Sequence, residues 1–198
     1  MRALRDRMWL WGHAPGSHNV EWGLPGPSRI TPVEAAHYMG IPNVIMVRYG
    51  PESLPPDAQY LVPFRSLDSV VWSLVGAGGM HETADLDRVL AVAEALPNMT
   101  GVMMDDFFRP TGDGVISVET LGETQARLKR ATRPLDLWVV LYDYQLDMPV
   151  RAHLEQCDTL TFWTWEARNL VHLEQNFSRF EALAPPGCRK VLGLYMWD

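Results

Sequence analysis

Two adjacent aspartates, Asp105 and Asp106, are the residues of this sequence best suited to chemistry. They follow a glycine and three apolar residues at 101–104, a pattern typical of a buried strand, and two phenylalanines come directly after them. Paired carboxylates are rare in a core but common where a strand of an α/β fold ends at a catalytic rim. Because successive side chains of a strand point to opposite faces, we expect one of the two to face that rim.

Polar and aromatic side chains also stand near the ends of other apolar segments. Aromatic rings can stack on the apolar face of a sugar while their N–H or O–H groups reach its hydroxyls. For Arg48, pairing with an aspartate of the pair is an equal alternative to substrate binding. A lone loop histidine such as His13 is more often structural than a ligand. The candidate substrate-binding residues are Trp11, His13, Arg48, Trp72, Tyr142, Trp165 and Trp197.

Seven apolar segments each end in a polar or aromatic residue and are followed by a loop. These segments are residues 8–12, 44–49, 70–76, 102–106, 137–142, 159–165 and 191–197. Helix start signals lie between most of them. Thr31, Pro32 and Glu34 form a capping-box pattern, while Thr83, Ser117 or Thr120, and Asn169 precede apolar residues at helical spacing.

Strands separated by helices pair in parallel, because an antiparallel hairpin needs only a short turn. No Gly-x-Gly-x-x-Gly loop follows a strand, which weakens an open nucleotide-binding sheet. The pattern therefore favours an α/β fold of the (β/α)8 TIM-barrel type. A barrel of this type needs about 250 residues, whereas the chain has 198. We expect one incomplete barrel domain over 1–198, truncated after its seventh strand, with a natural barrel of seven units as the alternative.

Composition limits the function classes. The formal net charge of −7 disfavours nucleic acid as a partner, and no segment reaches the roughly 20 apolar residues of a membrane span. Cys157 and Cys188 have no metal-ligand spacing around them and are expected as thiols in a reducing compartment, with one disulfide as the alternative. The sequence therefore predicts a cytoplasmic protein without a cofactor.

Residues 101–110, Gly-Val-Met-Met-Asp-Asp-Phe-Phe-Arg-Pro, resemble the fourth-strand region of bacterial glycoside-hydrolase-like TIM-barrel proteins. Residues 71–76 and 193–198 are similar to other strands of such barrels. The resemblance covers most of the chain in its organisation, although its specific motif is short. It implies a glycoside hydrolase acting on a carbohydrate substrate.

Hydrolysis of a glycoside requires two carboxyl groups across the scissile bond. The expected catalytic residues are an aspartate of the Asp105–Asp106 pair with Asp198 or Glu166, and barrel glycosidases favour such partners from the sixth or seventh strand. Asp143 and Glu21 are weaker candidates. Two other functions remain open: a metal-dependent sugar isomerase or aldolase using His13, one aspartate and Glu166, and a barrel that binds carbohydrate without catalysis.

Overall fold

The computed structural model describes residues 4–21, 23–50 and 58–195. These residues form seven strands, β1 (Trp9–Gly12), β2 (Asn43–Met46), β3 (Ser69–Val75), β4 (Met99–Met104), β5 (Asp136–Tyr142), β6 (Thr159–Trp163) and β7 (Arg189–Leu192). The α-helices are α1 (Pro32–Met39), α2 (Ala58–Leu61), α3 (Asp85–Ala95), α4 (Val118–Lys129), α5 (Arg151–Leu154) and α6 (Leu173–Leu183). Short 3-10 helices cover Leu4–Arg7, Pro63–Ser66, Ala77–Gly79, Asp143–Gln145 and Ala167–His172.

The strand order of the sheet follows the sequence from β1 to β7. Helical segments separate the consecutive strands. The predicted α/β fold of TIM-barrel type with seven strands is therefore confirmed. The chain divides into two compact units, Met1–Met103 and Met104–Asp198. The single domain over 1–198 and its truncation stay predictions.

The first unit is built on the parallel pairing of β1, β2 and β3. Asn43 lies opposite both Trp9 and Ser69 in this ladder, and its side-chain amide donates to two carbonyl oxygens of the preceding chain. The predicted capping box begins α1: the Thr31 hydroxyl accepts from the backbone N–H of Glu34, whose carboxylate accepts from the backbone N–H of Thr31. This cap satisfies N–H groups that have no partner inside the helix.

In the second unit, β5, β6 and β7 pair in parallel, with Trp138 opposite Thr159 and Thr159 opposite Arg189. Ser117 rather than Thr120 is the N-cap of α4, since its hydroxyl accepts from the Thr120 N–H. Trp138, Phe162 and Phe180 are fully buried, and the last two rings stack at 4.9 Å. This packing places the ends of β5 and β6 side by side.

Several strands end earlier than expected. The segments predicted over 44–49, 102–106, 159–165 and 191–197 correspond to strands ending at Met46, Met104, Trp163 and Leu192. Asp105, Asp106 and Trp165 therefore lie in loops. At Trp165 the cause is visible, because its backbone N–H donates to the Asp143 carboxylate instead of a neighbouring strand. Trp197 and Asp198 lie outside the described residues.

Three further expectations concern single residues and one helix. The Thr83 signal is displaced by one residue, since Ala84 is the N-cap of α3. From its polar ring alone, His153 would be expected at the surface, but it is buried, with its ring edge-on to those of Phe107 and Phe108. Cys157 and Cys188 are both free thiols. Within the described residues, no helix combines the length and apolar character needed to cross a membrane.

Candidate active site

The aspartate pair lies immediately after β4, where the chain leaves the sheet. Asp105 is 5% exposed, and its carboxylate accepts a 2.9 Å hydrogen bond from the backbone N–H of Asp106. Asp106 has a φ of 44°, a left-handed conformation that is uncommon outside glycine and asparagine or aspartate. The expectation that only one carboxylate faces the site assumed strand geometry. It stays a prediction, because the two side chains have different contacts: Asp105 accepts from the Asp106 N–H, whereas Asp106 accepts from the Tyr142 hydroxyl.

The two aspartates differ in their electrostatic environment. Burial raises the pKa of Asp105, the neighbouring charge of Asp106 raises it further, and the Asp106 N–H opposes the shift in part, giving a pKa of about 8. A carboxyl with this pKa retains its proton at neutral pH. The site therefore holds a carboxylic acid directly beside a second aspartate, the combination that separates acid from base roles in many hydrolases.

Tyr142, the last residue of β5, connects this pair to the next strand. Its hydroxyl donates to Asp106 Oδ1 at 2.7 Å, and its backbone N–H donates to the buried Gln145 side chain at 3.0 Å. Burial and the charge of Asp105 raise the pKa of the Tyr142 hydroxyl well above its usual range, with further contributions from Tyr195 and Asp106. Tyr142 is thus a hydrogen-bond donor throughout the physiological pH range.

Five aromatic side chains surround this hydrogen bond, and we call them the aromatic cluster: Tyr142, Tyr144, Trp163, Trp165 and Tyr195. Tyr144 stacks on Tyr142 with ring centroids 5.3 Å apart. Trp165 meets Tyr142 edge-on at 5.4 Å and Tyr195 edge-on at 5.8 Å. Trp165 is 49% exposed and Tyr195 is 47% exposed, so these rings offer surface to a ligand.

Asp143 connects the loop after β5 to the loop after β6. Its Oδ1 accepts from the backbone N–H of Trp165 at 3.1 Å, and its Oδ2 accepts from the Asn169 side-chain amide at 3.3 Å. Both carboxylate oxygens are therefore occupied by the loop that carries Trp165. Asp143 is therefore better suited to position Trp165 than to act as the second catalytic carboxylate, a role for which the sequence made it a weaker candidate.

Glu166 is directed toward another partner. Its carboxylate forms a hydrogen-bonded ion pair with Arg168, which lowers the pKa of Glu166. An ionised glutamate on the surface is unsuited to deliver a proton. Of the predicted catalytic residues, the structure therefore brings Asp105 and Asp106 together, pairs Glu166 with Arg168, and does not describe Asp198.

In the first unit, His13 is held as a neutral ring. Its Nδ1 lies 3.1 Å from the Val47 carbonyl oxygen, and its Nε2 accepts from the Trp11 indole N–H at 3.3 Å. Burial is the main reason that the pKa of His13 falls to about 4. Because both ring nitrogens are engaged and the ring does not protonate near neutral pH, His13 serves structure and keeps Trp11 in place.

Two other predicted substrate contacts of the first unit serve packing and charge compensation. Trp72 is 4% exposed, and its ring lies edge-on to Phe64 at 5.4 Å, so no face is open for stacking on a sugar. Arg48 forms a two-pronged pair with the buried carboxylate of Asp85 at 3.1 and 3.2 Å. Asp85 is a partner that the sequence analysis did not consider.

A cluster around Glu21 also lies in the first unit. The Glu21 carboxylate interacts with His18 Nδ1 at 3.2 Å and accepts a hydrogen bond from the Tyr49 hydroxyl. The His18 and Tyr49 rings lie against each other at 4.1 Å. This cluster joins the loop after β1 to the loop after β2, which accounts for Glu21 without a catalytic role.

Sequence reasoning gave too little weight to Tyr144 and Tyr195. In the sequence, Tyr144 stands just after the fifth apolar segment, and Tyr195 stands within the seventh. The sequence does place tyrosines and tryptophans near the ends of successive strands. Because the ends of parallel strands converge at one edge, this pattern predicts that Tyr144 and Tyr195 lie near the tryptophans. Their place in the aromatic cluster follows from loop geometry that the sequence does not show.

The ligand set of the isomerase alternative does not assemble in the described part of the chain. There, no three histidine, cysteine, aspartate or glutamate side chains lie close enough together to hold a metal ion. His13 has both nitrogens engaged, and Glu166 is paired with Arg168.

Comparison with known proteins gives no family. No family model matches the chain, and no curated protein matches it. The C-terminal domain of ChiA from Legionella pneumophila is 10% identical, with a TM-score of 0.45, over 77% of this chain and 56% of that one. A protein provisionally described as a lyase/mutase from Burkholderia cenocepacia J2315 is 9% identical, with a TM-score of 0.46, over 93% of this chain and 76% of that one.

Proposed function

We propose that this protein is a carbohydrate-active enzyme that hydrolyses a glycosidic bond with Asp105 and Asp106 as its catalytic carboxyl pair. The supporting observation is the contrast between these neighbours. Asp105 is buried and has a pKa of about 8, whereas Asp106 accepts a hydrogen bond from Tyr142 at 2.7 Å. Glycoside hydrolysis needs both a carboxylic acid and a carboxylate at the same bond.

In this proposal Asp105 gives its proton to the glycosidic oxygen. The bond between that oxygen and the anomeric carbon then breaks, and the leaving group departs as an alcohol. The Asp106 carboxylate, oriented by the Tyr142 hydroxyl, stabilises the positive charge that develops on the sugar ring. Water adds to the anomeric carbon, and the proton it releases returns to the aspartate pair.

The aromatic cluster supplies the binding surface of the proposed enzyme. The half-exposed rings of Trp165 and Tyr195 can stack on the apolar face of a sugar, and the tyrosine hydroxyls can bond its oxygens. Tyr144, which stacks on Tyr142, extends this surface. A carbohydrate is therefore the substrate class that we propose, with no role for nucleic acid.

A second candidate function follows from the burial of Asp105. Because that side chain is 5% exposed, a ligand bound on the outer rings of the aromatic cluster could remain out of its reach. The protein would then bind carbohydrate without cleaving it. This candidate shares the proposed binding surface and differs only in turnover.

Hydrolysis of a panel of aryl glycosides and oligosaccharides distinguishes the two functions. We expect Asp105→Asn and Asp106→Asn each to lower turnover by roughly a hundredfold or more while sugar binding persists, because each removes a proton-transferring or charge-stabilising group. Asp147→Asn is the matched control, since Asp147 is exposed and pairs with Arg179. Cleavage that neither aspartate substitution slows would refute the assignment. Binding without cleavage by the unmodified protein would establish the second candidate.

We also propose a cytoplasmic location. The free thiols of Cys157 and Cys188 suit a reducing compartment. Burial raises the pKa of both thiols, so neither forms the reactive thiolate readily. Fractionation of the native host, followed by detection of the protein with an antibody, tests this location. Recovery outside the cytoplasmic fraction would refute it.

A further inference from the structure

In the aromatic cluster, the Trp165 ring stands edge-on to two tyrosine rings. It lies at 85° to the Tyr142 ring and at 88° to the Tyr195 ring. We call these three side chains the aromatic corner. Edge-to-face contact is an ordinary packing of aromatic rings, but Trp165 and Tyr195 are also half-exposed, and an organic cation is attracted to the exposed face of such a ring.

The charges next to the aromatic corner are negative. The Tyr142 hydroxyl donates to the Asp106 carboxylate at 2.7 Å, and Asp143 holds the backbone of Trp165 at 3.1 Å. After burial, the charge of Asp106 is among the causes that raise the pKa of Tyr142 and of Tyr195. An anionic ligand at this position would meet carboxylates, whereas a cation would be attracted by both the rings and the carboxylates.

On the basis of the proposed function, we infer that the site selects sugars that carry a protonated amino group over neutral and anionic sugars. The juxtaposition of the aromatic corner with Asp106 carries this inference. The ammonium group packs against Trp165 and Tyr195, and the Asp106 carboxylate compensates its charge. We expect cation–π attraction and charge compensation together to make the amino sugar bind roughly tenfold more tightly than the matching neutral sugar.

Binding is measured separately from turnover, by tryptophan fluorescence at about pH 6, where a sugar amine is protonated and the aspartate environment matches that of neutral pH. The probes are the phenyl glycosides of glucosamine, glucose and glucuronic acid, together with tetramethylammonium as a cation without a glycosidic bond. We expect the glucosaminide to bind most tightly, the glucuronide most weakly, and tetramethylammonium to compete with the glucosaminide. Equal binding of the three glycosides would overturn the inference.

Two substitutions assign the selectivity to the corner. Trp165→Leu removes the central ring and Asp106→Asn removes the compensating charge, so each should reduce the roughly tenfold preference for the amine to about twofold or less. Glu181→Gln is the control, because Glu181 is exposed and pairs with Lys190. A preference that survives both substitutions would place the cation elsewhere and refute the inference.

The result separates this inference from the proposed function. Hydrolysis of all three glycosides without charge preference refutes the cation selectivity and leaves the hydrolase proposal standing. Tight binding of the glucosaminide and of tetramethylammonium without hydrolysis supports the selectivity and refutes the hydrolase proposal. Thus each proposal can fail alone.

Discussion

The substitution Asp105→Asn should change how the stability of the protein depends on pH. The pKa of Asp105 is raised from 3.8 to about 8, and a shift of about four units corresponds to an upper limit of about 6 kcal/mol. That limit applies to the free energy of unfolding that is lost when Asp105 ionises. Local rearrangement that lets water reach the ionised carboxylate reduces the loss, so we expect it to be at least about 2 kcal/mol. Asparagine has nearly the same shape and retains the oxygen that accepts from the Asp106 N–H.

The sign follows from the direction of the shift. A carboxyl whose pKa is raised by folding contributes its stability fully below the unfolded pKa and loses it as pH rises through the folded pKa. The free energy of unfolding of the unmodified protein should therefore fall between about pH 4 and about pH 9. The Asp105→Asn protein has no proton to lose at this position and should show a flatter profile.

Urea denaturation followed by tryptophan fluorescence at several pH values measures both profiles. Asp147→Asn serves as the control, because this exposed aspartate pairs with Arg179 at the surface and should leave the profile of the unmodified protein unchanged. Parallel profiles for the unmodified and Asp105→Asn proteins would refute the reasoning, since they would show that Asp105 ionises with the same pKa in the folded and unfolded chains.

Three further predictions concern other contacts. Tyr142→Phe removes the donor to the second aspartate and should lower kcat by roughly tenfold to a hundredfold with far-ultraviolet circular dichroism unchanged, so an unaltered kcat contradicts its role. Arg48→Met leaves the buried carboxylate of Asp85 with Arg88 as its remaining arginine partner and should cost about 2 kcal/mol in urea denaturation, with a cost below about 1 kcal/mol counting against it. Asp143→Asn replaces the carboxylate oxygen that accepts from the Asn169 amide with an amide group that donates. We expect KM to rise by roughly tenfold and the additional substitution Asn169→Asp to restore it. An unchanged KM in Asp143→Asn would show that the contact between Asp143 and Asn169 has no positioning role.

The α/β architecture could be predicted because it depends on local patterns. Each strand is a short apolar segment, and the helices between them begin at signals such as the Thr31 and Glu34 capping box, which needs only residues close in the sequence. Strand ends were predicted less well. The backbone of Trp165 leaves the sheet to bond the carboxylate of Asp143, a residue 22 positions earlier, and no local pattern reports such a partner.

Part of the candidate site could also be predicted, because it depends on residues that are adjacent in the sequence. The Asp105–Asp106 pair is visible in the sequence. The prediction that its two side chains diverge assumed that both residues lie in a strand, whereas Asp106 has a left-handed conformation. Burial of Trp72 and the pairing of Arg48 with Asp85 depend on which elements pack together. These choices are made by tertiary contacts, which residue types at strand ends do not determine.

The most direct test of the aspartate pair as a catalytic acid and carboxylate is the pH dependence of kcat/KM for the best glycoside of the panel. Because Asp105 must hold its proton to protonate the glycosidic oxygen, and its pKa is about 8, we predict that kcat/KM falls as pH rises through about 8 and that this fall is absent from the residual activity of Asp105→Asn. A rate that stays constant through this range, or an equal fall in both proteins, would contradict the account.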